Sequence, residues 1–101
     1  DTRTTFMIRN IPNKYTQTQL MEYINISHKG QYDFLYLRID FINKCNVGYA
    51  FINFLNTDAI VSFAEKIVGK RWPKFSSEKI CILSYANIQG RDALIEKFRS
   101  S

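Results

Sequence analysis

Residues 47–54, with the sequence VGYAFINF, decide the fold of this 101-residue chain. Side chains along a β-strand point alternately to the two faces of a sheet. Ala50, Ile52 and Phe54 are therefore expected in a core. The opposite face of the strand would carry three other residues: Tyr49, Phe51 and Asn53. Exposed rings on a sheet face indicate a partner surface.

Apolar patterning around this strand predicts a βαββαβ order followed by a short helix. The predicted strands cover residues 4–10, 33–41, 48–55 and 80–86. One helix is predicted to begin at Thr16, which has capping-box spacing with Gln19, and a second is predicted to be capped by Thr57. A last helix is predicted over 91–99. In the second strand, Ile39 and Phe41 are expected to face the core with Leu35 and Leu37.

One four-stranded antiparallel sheet with two helices on one face accounts for this order, which is an α+β fold. The expected domain spans residues 1–101, with a core over about 4–87 and a C-terminal helix over about 90–100. Because the chain does not begin with Met, we expect it to be part of a longer protein.

Composition limits the possible functions. Fourteen Lys and Arg against nine Asp and Glu give a net charge of +5, and 15% of residues are aromatic. A basic domain with many rings is a candidate for binding a polyanion. Cys45 and Cys81 form neither a disulfide framework nor a zinc ligand set, which indicates reduced thiols in an intracellular protein. No apolar run is long enough to span a membrane.

Two segments resemble the paired motifs of the RNA recognition motif (RRM). Residues 47–54 fit seven of the eight positions of its octamer, allowing Ile for Val, and residues 6–11 resemble its hexamer. The octamer lies on the predicted third strand and the hexamer on the first, which are central neighbours in the RRM fold. The resemblance implies a ferredoxin-like βαββαβ fold and a non-enzymatic module that binds single-stranded RNA.

The resemblance can be narrowed from other segments. Residues 10–15 (NIPNKY), 34–37, 39–41, 43–53 and 88–90 (IQG) are similar to the C-terminal RRM of Mei-two-like proteins, and the similarity runs over about residues 4–98. This similarity implies a post-transcriptional role in meiosis or development, with a messenger or non-coding RNA as partner. It also implies protein partners of the longer regulator and a location in nucleus and cytoplasm. No cofactor, membrane or small-molecule substrate is expected.

The RRM resemblance predicts that bases stack on Tyr49 and Phe51. The usual hexamer aromatic is replaced by Met7, and Arg9 on the same face could stack on a base or bind phosphate. Val47 replaces the leading basic residue of the octamer. Further contacts are predicted for residues on the same face or in nearby loops: Tyr36, Phe34, Asn53 and Ser84 for bases, and Arg38, Lys14 and Lys44 for phosphates.

Several alternatives stay open. The rings of Tyr49 and Phe51 could be covered by another chain or by the C-terminal helix, which could pack beside the sheet or lie across it and gate RNA. Arg38 could pair with Asp40 instead of RNA. The basic run 70–74 could extend the RNA path, but we favour solvated charges with Trp72 and Phe75 packed against the sheet edge.

Other functional classes fit the sequence less well. RRM-like domains that bind peptides use an acidic first helix and an Arg-x-Phe loop, whereas the first helix here carries only Glu22. Small phosphatases share the βαββαβ order but need a glycine-bearing anion loop, and residues 12–14 contain no glycine. The single histidine, His28, has no catalytic partner near it in sequence. We therefore expect no enzymatic activity.

Overall fold

The secondary structure comes from a computed structural model that describes residues 1–100; Ser101, the last residue of the expected domain, lies outside the described residues. The strands are β1 (Thr5–Arg9), β2 (Tyr32–Ile39), β3 (Asn46–Phe54) and β4 (Ile82–Tyr85). The helices are α1 (Gln17–His28), α2 (Thr57–Lys66) and α3 (Arg91–Phe98). The strands form one antiparallel sheet in the order β2-β3-β1-β4, which confirms the predicted fold class.

The main core lies between the sheet and the helices α1 and α2. Ile8 from β1 and Ile52 from β3 are fully buried, as alternation predicted. Phe63 of α2 meets Phe54 with a ring-centroid separation of 5.2 Å. This layer fixes which face of each strand points away from α1 and α2.

The starts of the two core helices are set by side-chain caps. Thr16 and Gln19 form the predicted capping box, since each side chain accepts a hydrogen bond from the other residue's backbone N–H. The start of α2 is capped by Asn56, whose side chain accepts from the Ala59 N–H at 2.9 Å. The prediction of Thr57 as this cap is wrong by one residue, because Thr57 is already helical.

The end of β2 differs from the prediction. The pairing of β2 with β3 shifts between Leu37 and Ile39, and Ile39 is 40% exposed. The chain then turns, with the Asp40 N–H donating to the Cys45 carbonyl at 2.8 Å, so Phe41 lies outside the strand and is 84% exposed. A bulge changes which face later residues occupy, so strict alternation failed at this point.

Helix α3 packs on the sheet face opposite α1 and α2. Leu94 is fully buried there, and Phe98 is 92% buried. The segment before α3 is fixed to β1: the Gln89 side chain accepts from the Thr5 N–H and donates to the Thr5 carbonyl, and the Gly90 N–H donates to Thr5 Oγ1. Of the two placements left open by the sequence, the structure adopts the one across the face.

Within residues 1–100 no helix is both long and apolar enough to cross a membrane.

Candidate nucleic-acid interface

The strand register arranges the α3-side face of the sheet into two rows. The inner row crosses the middle of the sheet and consists of Tyr36, Phe51, Met7 and Ser84. The outer row consists of Tyr49, Arg9 and Ile82. Each lies two residues along its strand from an inner-row residue, towards the end of the sheet where β1 finishes. The predicted base-contacting side chains from four strands are thus brought together on one surface.

The inner row is covered by α3 at its β2–β3 side. Phe51 is 8% exposed, and its ring centroid lies 5.0 Å from that of Phe98. Phe98 also contacts Tyr36 at 4.8 Å. The expectation that Phe51 faces an open surface is therefore wrong for this conformation, because α3 supplies the apolar partner. Base stacking on Phe51 remains a prediction that requires α3 to move.

The outer row is only partly covered. Tyr49 is half-buried and meets the Phe51 ring edge-on at a centroid distance of 6.0 Å. Arg9 is exposed, and its Nε donates to Ser84 Oγ at 3.0 Å. Its guanidinium carbon lies 6.0 Å from the centre of the Tyr49 ring, and Nη2 lies 3.4 Å from the Met7 sulfur. These contacts orient a planar cation beside a ring. A guanidinium in this position can stack on a base or bind a phosphate.

Three further cations surround this surface. Lys14 is exposed in the β1–α1 loop, Lys44 is exposed in the β2–β3 turn, and Arg38 lies on β2 with its guanidinium carbon 5.3 Å from the Phe98 ring centre. The predicted alternative pairing of Arg38 with Asp40 does not form, since the Asp40 carboxylate accepts from the Ile42 N–H at 2.8 Å.

The only ion pairs among residues 1–100 are Asp1–Arg3 and Glu96–Arg99. The four predicted RNA-contacting cations, Arg9, Lys14, Arg38 and Lys44, thus have no carboxylate partner in the described part of the chain. All four lie at the end of the sheet where β1 and β2 finish and β3 begins. This end can bind anions without first breaking an ion pair.

Asn53 does not fit its predicted role in reading base edges. It is 6% exposed, and its Oδ1 accepts from the hydroxyls of Thr4 and Thr5 at 2.9 and 2.7 Å. Its amide nitrogen donates to Asp33 at 2.9 Å. We correct that prediction: Asn53 links β1, β2 and β3, and its polar atoms are already engaged within the protein.

Asn46 is a positioning residue that sequence reasoning missed. It is 6% exposed, and its amide nitrogen donates to the carbonyls of Pro12 and Tyr15 at 2.9 and 3.0 Å. Its Oδ1 accepts from the Gly48 N–H at 2.8 Å. These bonds attach the β1–α1 loop, which contains Lys14, to the start of β3. Asn46 lies before the predicted third strand, in a turn segment where Asn is common, so the sequence contained no specific signal for this role.

Gly48 adopts a backbone conformation that favours glycine. Its φ is +99°, and a built Cβ would meet nothing within 4 Å. The positive φ alone accounts for a glycine at this position. The Gly48 carbonyl accepts from the Ile11 N–H at 3.0 Å, so this backbone also helps to hold the β1–α1 loop.

The basic stretch after α2 is largely structural. Trp72 is 4% exposed and donates its indole N–H to the Asn10 carbonyl at 2.9 Å, which confirms its predicted packing. Lys70 donates to two carbonyls at the end of α2, and Arg71 donates to the Ser77 carbonyl. Phe75, expected at the sheet edge, is 44% exposed and meets the Tyr15 ring edge-on at 5.3 Å.

The remaining titratable groups with altered chemistry lie away from this surface. Burial lowers the pKa of His28, which is fully buried between the hydroxyls of Ser27 and Ser62. Burial raises the pKa of the Cys81 thiol to about 12. Among residues 1–100 no group of three His, Cys, Asp or Glu side chains could hold a metal ion.

Comparison with known proteins supports the same assignment. Residues 3–99 match the family RNA recognition motif 2. The chain is 66% identical over 101 residues to Meiosis protein mei2 of Schizosaccharomyces pombe, covering all of this chain and 14% of that protein. It is 61% identical over 101 residues to Protein MEI2-like 2 of Oryza sativa subsp. japonica, covering all of this chain and 12% of that protein. The resemblance inferred from sequence is thereby confirmed.

Solved structures show the fold independently. The Rna15 RRM with bound RNA (GU) superimposes with a TM-score of 0.70 at 16% identity, covering 96% of this chain and 97% of that chain. The Sxl-lethal protein/RNA complex gives 0.68 at 19% identity, covering 88% of this chain and 50% of that chain. Family match and architecture agree: the chain belongs to the RNA recognition motif 2 family.

Proposed function

We propose that this chain is a non-enzymatic domain that binds single-stranded RNA on the α3-side face of its sheet. The observation that carries the proposal is the outer row on the two motif strands, where Tyr49 lies beside an oriented Arg9 that has no carboxylate partner within residues 1–100. Two fold neighbours are described as RNA complexes, which supports the same use of the fold.

Binding begins at the accessible end of the sheet. A base stacks on Tyr49, and Arg9 contacts the same base or its phosphate. Stacking of one base on an aromatic side chain contributes about 1–3 kcal/mol. Ser84 and the β4 backbone contact base edges, and Lys14, Lys44 and Arg38 contact phosphates. Neutralising four phosphates predicts a slope of log affinity against log salt of about −3.

A second base reaches Phe51 only when α3 leaves the sheet. The Phe98 ring and a nucleobase would occupy the same side of the Phe51 ring, so the two contacts exclude each other. The Gln89 and Gly90 contacts to Thr5 can persist while the helix itself detaches. RNA binding is therefore coupled to an equilibrium between docked and displaced α3.

The biological role is proposed from similarity. The 66% identity to Meiosis protein mei2 supports a role in meiotic regulation. With that role we propose a post-transcriptional function, a messenger or non-coding RNA as ligand, and a location in the nucleus and cytoplasm. Because the chain spans 14% of that relative, partners of the whole protein would also involve other regions.

Fluorescence anisotropy with a pool of short single-stranded RNAs tests the proposal at several salt concentrations. Tyr49→Leu is expected to weaken binding by about 5- to 150-fold, the loss of one stacked base. Tyr85→Leu is the matched control, because Tyr85 is on β4 but stacks on core-facing Phe6 at 4.7 Å. Absence of binding by the wild type, or equal effects of both substitutions, would overturn the proposal.

A further inference from the structure

The β2–β3 turn presents an apolar surface that the proposed interface does not use. Phe41 is 84% exposed and Ile42 is 92% exposed, the two largest exposures among large apolar residues of the described chain. Single exposed apolar residues are common on proteins. Two consecutive ones on an ordered turn, beside a cavity, require a more specific account.

The turn is held by its own hydrogen bonds. The Lys44 N–H donates to the Asp40 carbonyl at 2.9 Å, and the Cys45 N–H donates to Asn43 Oδ1 at 2.9 Å. The Asp40 side chain accepts from the Ile42 N–H. The Phe41 ring is thus presented by a preorganised backbone, which lowers the entropy lost when a ligand binds it.

A cavity of about 410 Å³ lies beside this turn. Its lining residues come from β2, the turn and the end of α3: Tyr36, Arg38, Ile39, Phe41 and Ser100. The volume is within the range of small-ligand sites, about 300–1,000 Å³. Its wall combines two rings with a guanidinium, which are the groups that contact the faces of bases and phosphates.

We propose that this cavity is an additional nucleotide subsite, in which one base of the bound RNA strand stacks on Phe41 while Arg38 contacts the adjoining phosphate. This inference rests on the proposed RNA-binding function. The cavity adjoins the proposed RNA-binding face, because Tyr36 belongs both to the inner row and to the cavity wall. The RNA strand on that face is therefore the proposed occupant. Charge supports it, because Arg38 and the nearby Lys44 have no carboxylate partner within residues 1–100.

The subsite is compatible with displacement of α3. Four of its five lining residues belong to β2 and the turn, and only Ser100 follows α3. Movement of the helix widens the cavity without removing Phe41 or Arg38. A strand of RNA can therefore run from the outer row across Phe51 to the edge of β2.

The test compares RNA lengths in the 101-residue chain. Fluorescent oligonucleotides of increasing length, from those that cover only the sheet to those that reach the edge of β2, are titrated into wild type, Phe41→Ser and Ile42→Ser. Phe41→Ser is expected to weaken binding of the long RNAs by about 5-fold or more and to leave the short RNAs unchanged. Ile42→Ser is the matched control, since Ile42 is similarly exposed but does not line the cavity. This variant should bind short and long RNAs like the wild type.

Each other outcome is decisive. If Phe41→Ser binds long RNAs as tightly as wild type, the subsite is refuted while the sheet-face function stands. If it weakens short and long RNAs equally, Phe41 acts on the sheet or the turn and the subsite is again refuted. If Tyr49→Leu has no effect on the short RNAs, the proposed function fails and the subsite loses its basis. If only a protein partner responds to Phe41→Ser, the RNA subsite is refuted.

Discussion

Phe98 is one of two buried side chains, with Leu94, that pack α3 on the sheet, and it is the one that contacts Phe51, so Phe98→Ala is the most informative single substitution. The ring is 8% exposed and packs on Phe51 and Tyr36 with centroid distances of 5.0 and 4.8 Å. Full burial of a Phe side chain contributes about 1.5–3 kcal/mol. In the displaced state this ring is in water, so the substitution removes that stabilisation from the docked state alone. The ratio of docked to displaced α3 should fall by about 10- to 150-fold.

For a ligand that binds only when α3 is displaced, the apparent affinity equals the intrinsic affinity multiplied by the fraction of molecules in the displaced state. Phe98→Ala is therefore expected to increase the RNA affinity. The increase cannot exceed the change of about 10- to 150-fold in the ratio of docked to displaced α3. The assay is anisotropy with the short RNA pool, and far-ultraviolet circular dichroism checks that the sheet remains folded. Ile95→Ala is the control on the same helix, because Ile95 is 40% exposed, and it should change affinity by less than about 2-fold. Unchanged or weaker binding by Phe98→Ala would refute competition between α3 and RNA.

Three further predictions concern stability, measured by denaturant unfolding. Asn46→Ala should lower the unfolding free energy by about 1–3 kcal/mol, since it removes the side-chain donor to the buried Tyr15 carbonyl and one of the two donors to the Pro12 carbonyl; a loss near zero would exclude the loop-fixing role. Gly48→Ala should cost about 1–2 kcal/mol through its φ of +99°, and a neutral result would show that the backbone relaxes there. The pKa of His28 is lowered by burial, so just below pH 6.5 the unfolded chain binds more protons than the folded chain. The unfolding free energy therefore decreases as the pH is lowered, by at most about 1.4 kcal/mol per pH unit. His28→Gln should flatten this slope just below pH 6.5, and an unaltered slope would assign it to other groups.

Local patterns predicted the strands and helices because each pattern was complete within a short segment. The capping box of Thr16 and Gln19 located the start of α1, and alternation in β3 placed Ile52 in the core. The end of β2 was mispredicted, because a bulge after Leu37 depends on how β3 pairs with it. Periodicity within one strand carries no information about a register shift in its neighbour.

The sequence predicted which residues share the candidate face, but not which of them a ligand can reach. Leu94 and Phe98 have the same apolar spacing whether α3 packs beside the sheet or across it, so the sequence left both placements open. Alternation placed Asn53 on the correct face, but its hydrogen bonds to Thr4 and Thr5 arise only when β1 and β3 pair. Contacts between distant segments decide which residues on a face remain available to a ligand.

The central claim is that RNA bases stack on Phe51 once α3 is displaced. The most direct measurement is the RNA affinity of Phe98→Ala compared with that of the double variant Phe98→Ala/Phe51→Leu. Coverage by α3 is weakened in both proteins, and Leu keeps most of the apolar volume of Phe51 while removing its ring plane. We predict that the double variant binds about 5- to 150-fold more weakly, the loss of one stacked base. Equal affinities of the two proteins would contradict stacking on Phe51.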